Sequence, residues 1–483
     1  MTNIDIVFAT VPYTDTKIPL MAPAILKSIA TKANKTAITI DLNIEAVNFI
    51  ETLPYKNNYI DFFHTGSTTS IAKISDQLFD LFFGFAKKLL EFNPKIIGLS
   101  VFTYNCQTAT KFLSFIIKKL SPHTKIILGG AGLTNNLVGV SKFAEYLLKK
   151  KIIDFYIRGD GENSLYNYLM LDDTEIAGIN GNAWTELTNS DLAQLPIPDY
   201  DDYNFTVYGE NDTILMPILG SRGCVRNCSF CDIHAHWTKF SWRSGQHIFE
   251  EMIALSKKYD IHYFKFQDSL INGNLKEYRV LMKLISAHNA TCPANKKLTW
   301  GSFFIIRPSN QFTEEDWRLT ASGGAVWLAV GIETFSDVGR FHLGKKFTNA
   351  DIEFSLQMAR KYNLQLSLLF LVGYITETEA DIDFAVKWYE EHTEYKDMML
   401  INLGTPLGIL EGTPLKKNFD NLKLTKTGPN DQDWANEAIG NTPANRIKWF
   451  YRLKETVERL GYQQTFGSDN QYILERMMMQ AVK

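Results

Sequence analysis

Three of the chain's five cysteines, Cys224, Cys228 and Cys231, fall within eight residues in the stretch ILGSRGCVRNCSFCDIHAHW. Thiolates spaced C-x-x-x-C-x-x-C on one loop can ligate three irons of a cubane cluster, leaving the fourth iron without a protein ligand. A small molecule offering an amino and a carboxylate group can chelate that open iron and receive an electron there. Gly223 and the small or polar spacers let the loop curl round a cluster, and Phe230 would shield one face from water. A rival reading is zinc, because His234 or His236 could complete a Cys₃His site. A third is a chance grouping of structural cysteines.

The flanking sequence supplies elements that could position such a loop. From about 213 to 415 the strand-like runs ILMPILGS, HYFKFQDS, LTWGSFFI, VWLAVGIET, LQLSLLFLVG and DMMLINLGTP alternate with helical runs. Six strands with intervening helices predict an incomplete, TIM-barrel-like (β/α)6 barrel over 211–415, its site built from loops at the strand C-termini. Residues 1–175 show a second alternation, from IDIVFATV through AITIDLN, KIIGLSVFTYN and KIILGGAGLTN to DFYIRGDGE. That pattern predicts a parallel sheet with helices on both faces. LAQLPIPDYDDYN predicts an extended linker within 176–210, and 416–483 reads as a small, mainly helical segment with helices at NRIKWFYRLKETVERL and at the chain's end.

The cysteine spacing, with an aromatic before the last Cys, resembles the signature of the radical S-adenosylmethionine (SAM) superfamily. Over about 210–415 further stretches resemble that superfamily, in the variety that carries an N-terminal cobalamin-binding domain. FKFQDS, with Asp268 and Ser269, resembles the stretch whose backbone lies along the methionine part of SAM. VGIET resembles the fourth-strand motif, with Glu333 pointing into the barrel mouth. LFLVGYITET resembles the fifth-strand motif G-x-P-G-E-T: Gly373, Glu377 and Thr378 are kept, but Ile375 and Thr376 replace the usual Pro and Gly. EGTPL at 411–415 resembles the end of this barrel type. Each match has a plainer alternative. Glu333 could be a salt-bridge acid, Gly373 could turn a strand into its helix, and Asp268 could be a helix N-cap.

The first domain resembles the Rossmann-like cobalamin-binding domain that precedes many such barrels, on the pieces IIGLSVFTYN, KIILGGAGLT and DFYIRGDGE. Gly129 and Gly130 at a strand end would admit a flat or phosphate-bearing ligand, and Thr134 would add a hydroxyl. Gly159, Gly161 and Glu162 would form a second tight turn at the same sheet edge, with Tyr104 beside the substrate. The D-x-H-x-x-G motif that supplies a cobalt-ligating His is absent, so the resemblance implies cobalamin held without one.

The resemblance implies a 4Fe-4S cluster, SAM and cobalamin as cofactors, and reductive cleavage of SAM to methionine and a 5′-deoxyadenosyl radical. It implies methylation of an unactivated carbon, with a flavodoxin- or ferredoxin-type electron donor. The same layout hosts non-methylating cyclases, oxidoreductases and rearranging enzymes. A methylthiotransferase would need three more cysteines in the first domain, where only Cys106 is available.

Composition bounds the partners. An apolar fraction of 45%, a charged fraction of 21% and a net charge of −3 predict a globular chain acting on a small molecule or peptide rather than on nucleic acid. No run approaches a membrane span, and Asp5 lies where a signal peptide would be basic, so the expected location is the cytoplasm.

Overall fold

The computed structural model describes residues 4–53, 59, 62–63, 75–133, 142–209, 213–465, 474 and 477–478. The chain divides into two compact units, Met1–Pro217 and Ile218–Lys483.

The first unit is built on five parallel strands, β1 (Ile6–Thr10), β2 (Ala37–Asp41), β3 (Ile96–Ser100), β4 (Lys125–Gly129) and β5 (Phe155–Tyr156), in the order β2-β1-β3-β4-β5. Strands β1 and β3 are buried along their whole length, as expected where helices cover both faces. Alternation divides their side chains between two cores. Val7, Ala9, Ile97 and Leu99 face helices Leu42–Glu51, Ser75–Leu90 and Cys106–Leu120. Ile6, Phe8 and Ile96 face helices Met21–Lys32 and Glu162–Leu171.

Within 176–210, the residues around 200 do not run free but are bound to the β1–β2 side of this sheet. Asp202 accepts from the Thr39 amide at 2.8 Å and from Lys27 Nζ at 2.7 Å, and Tyr208 OH donates to Asp41 at 2.5 Å. Among the acids and tyrosines that suggested an extended linker, Asp202 and Tyr208 are these anchors.

The second sheet has the order β16-β13-β12-β11-β10-β9-β6. Its strands are β6 (Met216–Ile218), β9 (Tyr263–Phe266), β10 (Thr299–Phe304), β11 (Ala325–Glu333), β12 (Gln365–Val372), β13 (Met399–Pro406) and β16 (Gln463–Thr465). The six expected strands neighbour one another in chain order, the sequential parallel arrangement of a partial (β/α) barrel. Most connecting helices start at a local cap. Ser244, Asn274, Thr348 and Thr442 each accept a first-turn amide, and Thr313, Thr348 and Thr378 form capping boxes with Asp316, Asp351 and Asp381.

Two features were not expected. Strands β7 (Ser221–Arg222) and β8 (Ser241–Trp242) pair antiparallel and close the base of the cysteine loop. The C-terminal segment, besides the expected helix Pro443–Arg459, contributes a two-stranded ribbon of β14 (Thr425–Lys426) and β15 (Trp434–Ala435) and a seventh strand, β16, parallel to β13. The sequence QQT at β16 has no apolar alternation, so only the free edge of β13 makes it a strand. The helix expected at the chain's end falls on 466–483, mostly outside the described residues.

Candidate active site

The cysteine loop runs from Gly223 to Phe240 between β7 and β8. Cys228 is buried, and Cys224 and Cys231 are half-buried. The Arg226 amide donates to Cys224 Sγ at 3.4 Å, and the Cys231 amide donates to the Cys228 carbonyl at 3.2 Å. Ser229, between two of the cysteines, is held by three other loops. Its amide donates to the Leu343 carbonyl at 3.0 Å, its carbonyl accepts from the Leu415 amide at 2.9 Å, and its hydroxyl lies 3.2 Å from Tyr374 OH. Those partners follow β11, β13 and β12 in turn. The loop is thus fixed at the C-terminal end of the barrel strands, as anticipated for a site of this fold.

Burial pushes the thiols of Cys224 and Cys228 up and that of Cys231 up to about 12. Nearby positive charge offsets part of this at Cys224 and Cys228, from Lys345 and Arg226. Buried thiols of this kind ionise readily only when a cationic group binds them. The donor set therefore fits an iron–sulfur cluster. Of the two histidines of the zinc alternative, His234 has its Nε2 2.6 Å from the Arg226 carbonyl and His236 has its Nε2 3.9 Å from the Asp232 carboxylate.

Several of the neighbouring candidates have specific partners in the structure. Asp268 is not a helix N-cap; Asn274 caps the helix that follows. Instead the buried Asp268 accepts from the Gly220 amide at 2.9 Å and from the Ser221 hydroxyl, tying the end of β9 to the entry of the cysteine loop. Burial pushes its carboxyl up to about 7. Ser269 is half-buried in the same loop. Glu333 ends β11 with φ +66° and is ion-paired to Lys345 at 2.8 Å.

Lys345, which sequence reasoning missed, also donates to the Gly331 carbonyl at 3.0 Å and lies 5.8 Å from the centre of the Phe230 ring. Burial would lower its pKa, but the charges of Glu333 and Cys228 and the hydrogen bond to Glu333 hold it above the ordinary lysine value. The only signal in the sequence was a lysine twelve residues past Glu333, which spacing alone does not single out.

Gly373 does turn strand into loop, at φ +79°, and its amide donates to the Glu377 carboxyl. Glu377 is fully enclosed, and burial pushes it up to about 8.

At the C-terminal edge of the first unit's sheet, two glycines have a cause other than the expected one. A Cβ on Gly130 (φ +107°) would lie 2.5 Å from the Val101 carbonyl oxygen, and one on Gly159 (φ +87°) would lie 2.3 Å from that of Thr185. The close approach is made by the chain itself, not left open for a ligand. Gly129 differs, with nothing within 4 Å of its Cβ position. Tyr104 is half-buried just before helix Cys106–Leu120, and the neighbouring Asn105 has a buried Oδ1 with no partner among the described residues. The orphaned acceptor of Asn105 fits a ligand that carries amide donors, as the side chains of cobalamin do. Gly161 precedes helix Glu162–Leu171 as its N-cap, with Glu162 buried, and Thr134 lies outside the described residues. Cys106 is buried, with its Sγ 3.6 Å from the Tyr13 carbonyl.

Residues 218–389 match the Radical SAM superfamily. That stretch of the second unit is therefore a radical SAM domain. An uncharacterized methyltransferase of Pyrococcus horikoshii is 25% identical over 324 residues, 63% of this chain and 65% of that protein. An anaerobic magnesium-protoporphyrin IX monomethyl ester cyclase of Synechocystis is 20% identical over 289 residues, 56% of this chain and 54% of that protein. The chain thus spans less than two thirds of the length of these relatives. TsrM of Kitasatospora setae, a radical SAM methyltransferase, matches with a TM-score of 0.65 at 16% identity, over 99% of this chain and 98% of its own. A second TsrM structure, with cobalamin and a [4Fe-4S] cluster bound, matches at 0.64 over 89% and 76%. The fold is that of the cobalamin-dependent radical SAM proteins, a Rossmann-like parallel sheet followed by a partial barrel.

Proposed function

We propose that this protein is a cobalamin-dependent radical SAM methyltransferase acting on a carbon of a small molecule or peptide. The observation that carries the reading is the cysteine loop, whose three thiols lie on a segment pinned through Ser229 to the loops after β11, β12 and β13. In this reading Cys224, Cys228 and Cys231 hold the cluster. The Asp268–Ser269 loop, Glu333 and the Gly373–Thr378 turn hold SAM, and Tyr104, Asn105 and Gly129 lie against cobalamin. When bound, these groups supply an electron that cleaves SAM to a 5′-deoxyadenosyl radical, and a transferable methyl group.

The chain's own residues do the rest. Asp268 fixes where the cysteine loop begins. Lys345 keeps a positive charge beside Cys228 and Cys231 and holds Glu333 in its left-handed conformation. Phe230 packs against an apolar cluster that includes Tyr374, Ile375 and Leu415, which keeps water from that side of the loop. The electron comes from an external flavodoxin- or ferredoxin-type donor.

The test is anaerobic reconstitution with iron, sulfide and cobalamin, then incubation with SAM and a reductant. Formation of both 5′-deoxyadenosine and S-adenosylhomocysteine is expected. Neither product from protein that holds iron would overturn the reading. The cyclase relative favours a second reading, a non-methylating radical enzyme, which would give 5′-deoxyadenosine without S-adenosylhomocysteine.

A further inference from the structure

The turn Gly373–Thr378 carries the departure noted in the sequence, Ile375 and Thr376 in place of Pro and Gly. A Pro–Gly pair stiffens a turn because proline fixes φ and glycine accepts a conformation other residues avoid. Here the turn is held from outside. Asn441 Nδ2 donates to the carbonyls of Tyr374 at 2.6 Å and Glu377 at 3.3 Å, and Asn436 Nδ2 donates to that of Ile375 at 3.0 Å. The side chain of Arg446 occupies the space beside Gly373, where a Cβ would lie 1.9 Å from Arg446 Cδ.

Arg446 is itself immobilised. It donates to Asn441 Oδ1 at 2.9 Å and to the carbonyls of Gln432 and Trp434 at 2.7 Å each, and its guanidinium lies 3.9 Å from the centre of the Trp434 ring. Asn441 and Arg446 are both fully buried. Farther along the same helix, Arg452 bonds Glu379 at 2.7 Å and Asp383 at 2.5 Å, on the helix that leaves the turn.

We infer that residues 432–446 form a clamp that sets the Gly373–Thr378 turn for SAM, so that the C-terminal segment belongs to the cofactor site. The inference rests on the proposed reading that this turn lies against SAM. Its physical content is a population argument. Freed carbonyls let the turn leave its binding-competent shape, and the dissociation constant rises as the competent fraction falls. Asn436, Asn441 and Arg446 are positioning residues.

The experiment uses the full chain, reconstituted anaerobically, with iron and sulfide counted per chain and SAM affinity measured by equilibrium dialysis. Asn441→Asp keeps the acceptor for Arg446 but loses both donations to the turn. Its SAM dissociation constant should rise about tenfold, the result of a competent fraction near one tenth. Asn436→Ala removes one bond at a half-buried position and should raise the constant about threefold by the same argument. Both should keep wild-type iron. Unchanged SAM affinity in Asn436→Ala and in Asn441→Asp overturns the clamp, and Asn436→Ala decides alone if the second variant does not fold. Loss of iron in parallel with SAM also overturns it, because the segment would then merely hold the barrel together. Failure of the reconstituted wild type to bind SAM sinks the functional reading itself, an outcome separate from any difference between variants.

Discussion

Replacing Lys345 with Met tests whether the charge beside the cysteines is a desolvated counter-ion. The side chains of Lys345 and Glu333 are only 12% and 8% exposed, and the ammonium spends its contacts on Glu333 and the Gly331 carbonyl. Met keeps most of the buried stem, so the loss is mainly electrostatic, a carboxylate left in the barrel mouth with no partner. Removing one member of such a pair costs about 3–5 kcal/mol. Glu333 also holds a left-handed conformation at φ +66°, which costs roughly 1–2 kcal/mol in a non-glycine residue and is offset by the bond to Lys345. A loss of about 3 kcal/mol is therefore expected for Lys345→Met. The double variant Lys345→Met/Glu333→Gln, which removes both charges, should recover to within about 1–2 kcal/mol of wild type. Urea unfolding of the cluster-free protein, followed by tryptophan fluorescence, reports on the right unit, because every tryptophan except Trp184 lies in the second. A single-variant cost below about 1 kcal/mol, typical of a solvated pair, would refute the argument, as would a double variant no more stable than the single.

Alanine at Cys224, Cys228 or Cys231 should each abolish iron retention and SAM cleavage in a soluble protein, whereas His234→Ala and His236→Ala should keep wild-type iron; metal lost from either His variant would favour zinc. Gly129→Leu should cut cobalamin retention and spare the iron, since its side chain would enter open space, while Gly130→Leu should lower solubility by striking the Val101 carbonyl, and equal cobalamin in wild type and Gly129→Leu would remove the ligand from that edge. Glu377 keeps its proton in the folded chain up to about pH 8 but releases it near 4.5 when unfolded, so folding takes up a proton between those values and stability falls as pH rises through that window. Glu377→Gln should flatten that fall by up to ~1.4 kcal/mol per pH unit, read from urea midpoints at pH 5.5 and 8, and an identical slope in the variant would refute the assignment.

The comparison of sequence and structure divides along range of interaction. Cysteine spacing and the alternation of strand and helix runs could both be read from the sequence, because each is a property of a few neighbouring residues and of backbone geometry. They carry the parallel sheets, the partial barrel and the candidate cluster loop. Gly373 was legible as a turn for the same reason. Asp268 was ambiguous, since its real partners, Gly220 and Ser221, lie on a neighbouring strand's exit some 47 residues away. The glycines of the first unit were legible as close approaches, but whether a ligand or the chain itself makes the approach depended on where Val101 and Thr185 fall. Lys345, Ser229, Asn441 and Arg446 carried no local signal at all. Each becomes specific only when the sheet order brings loop ends together and burial strips away water, leaving charges and carbonyls that must find partners inside the protein.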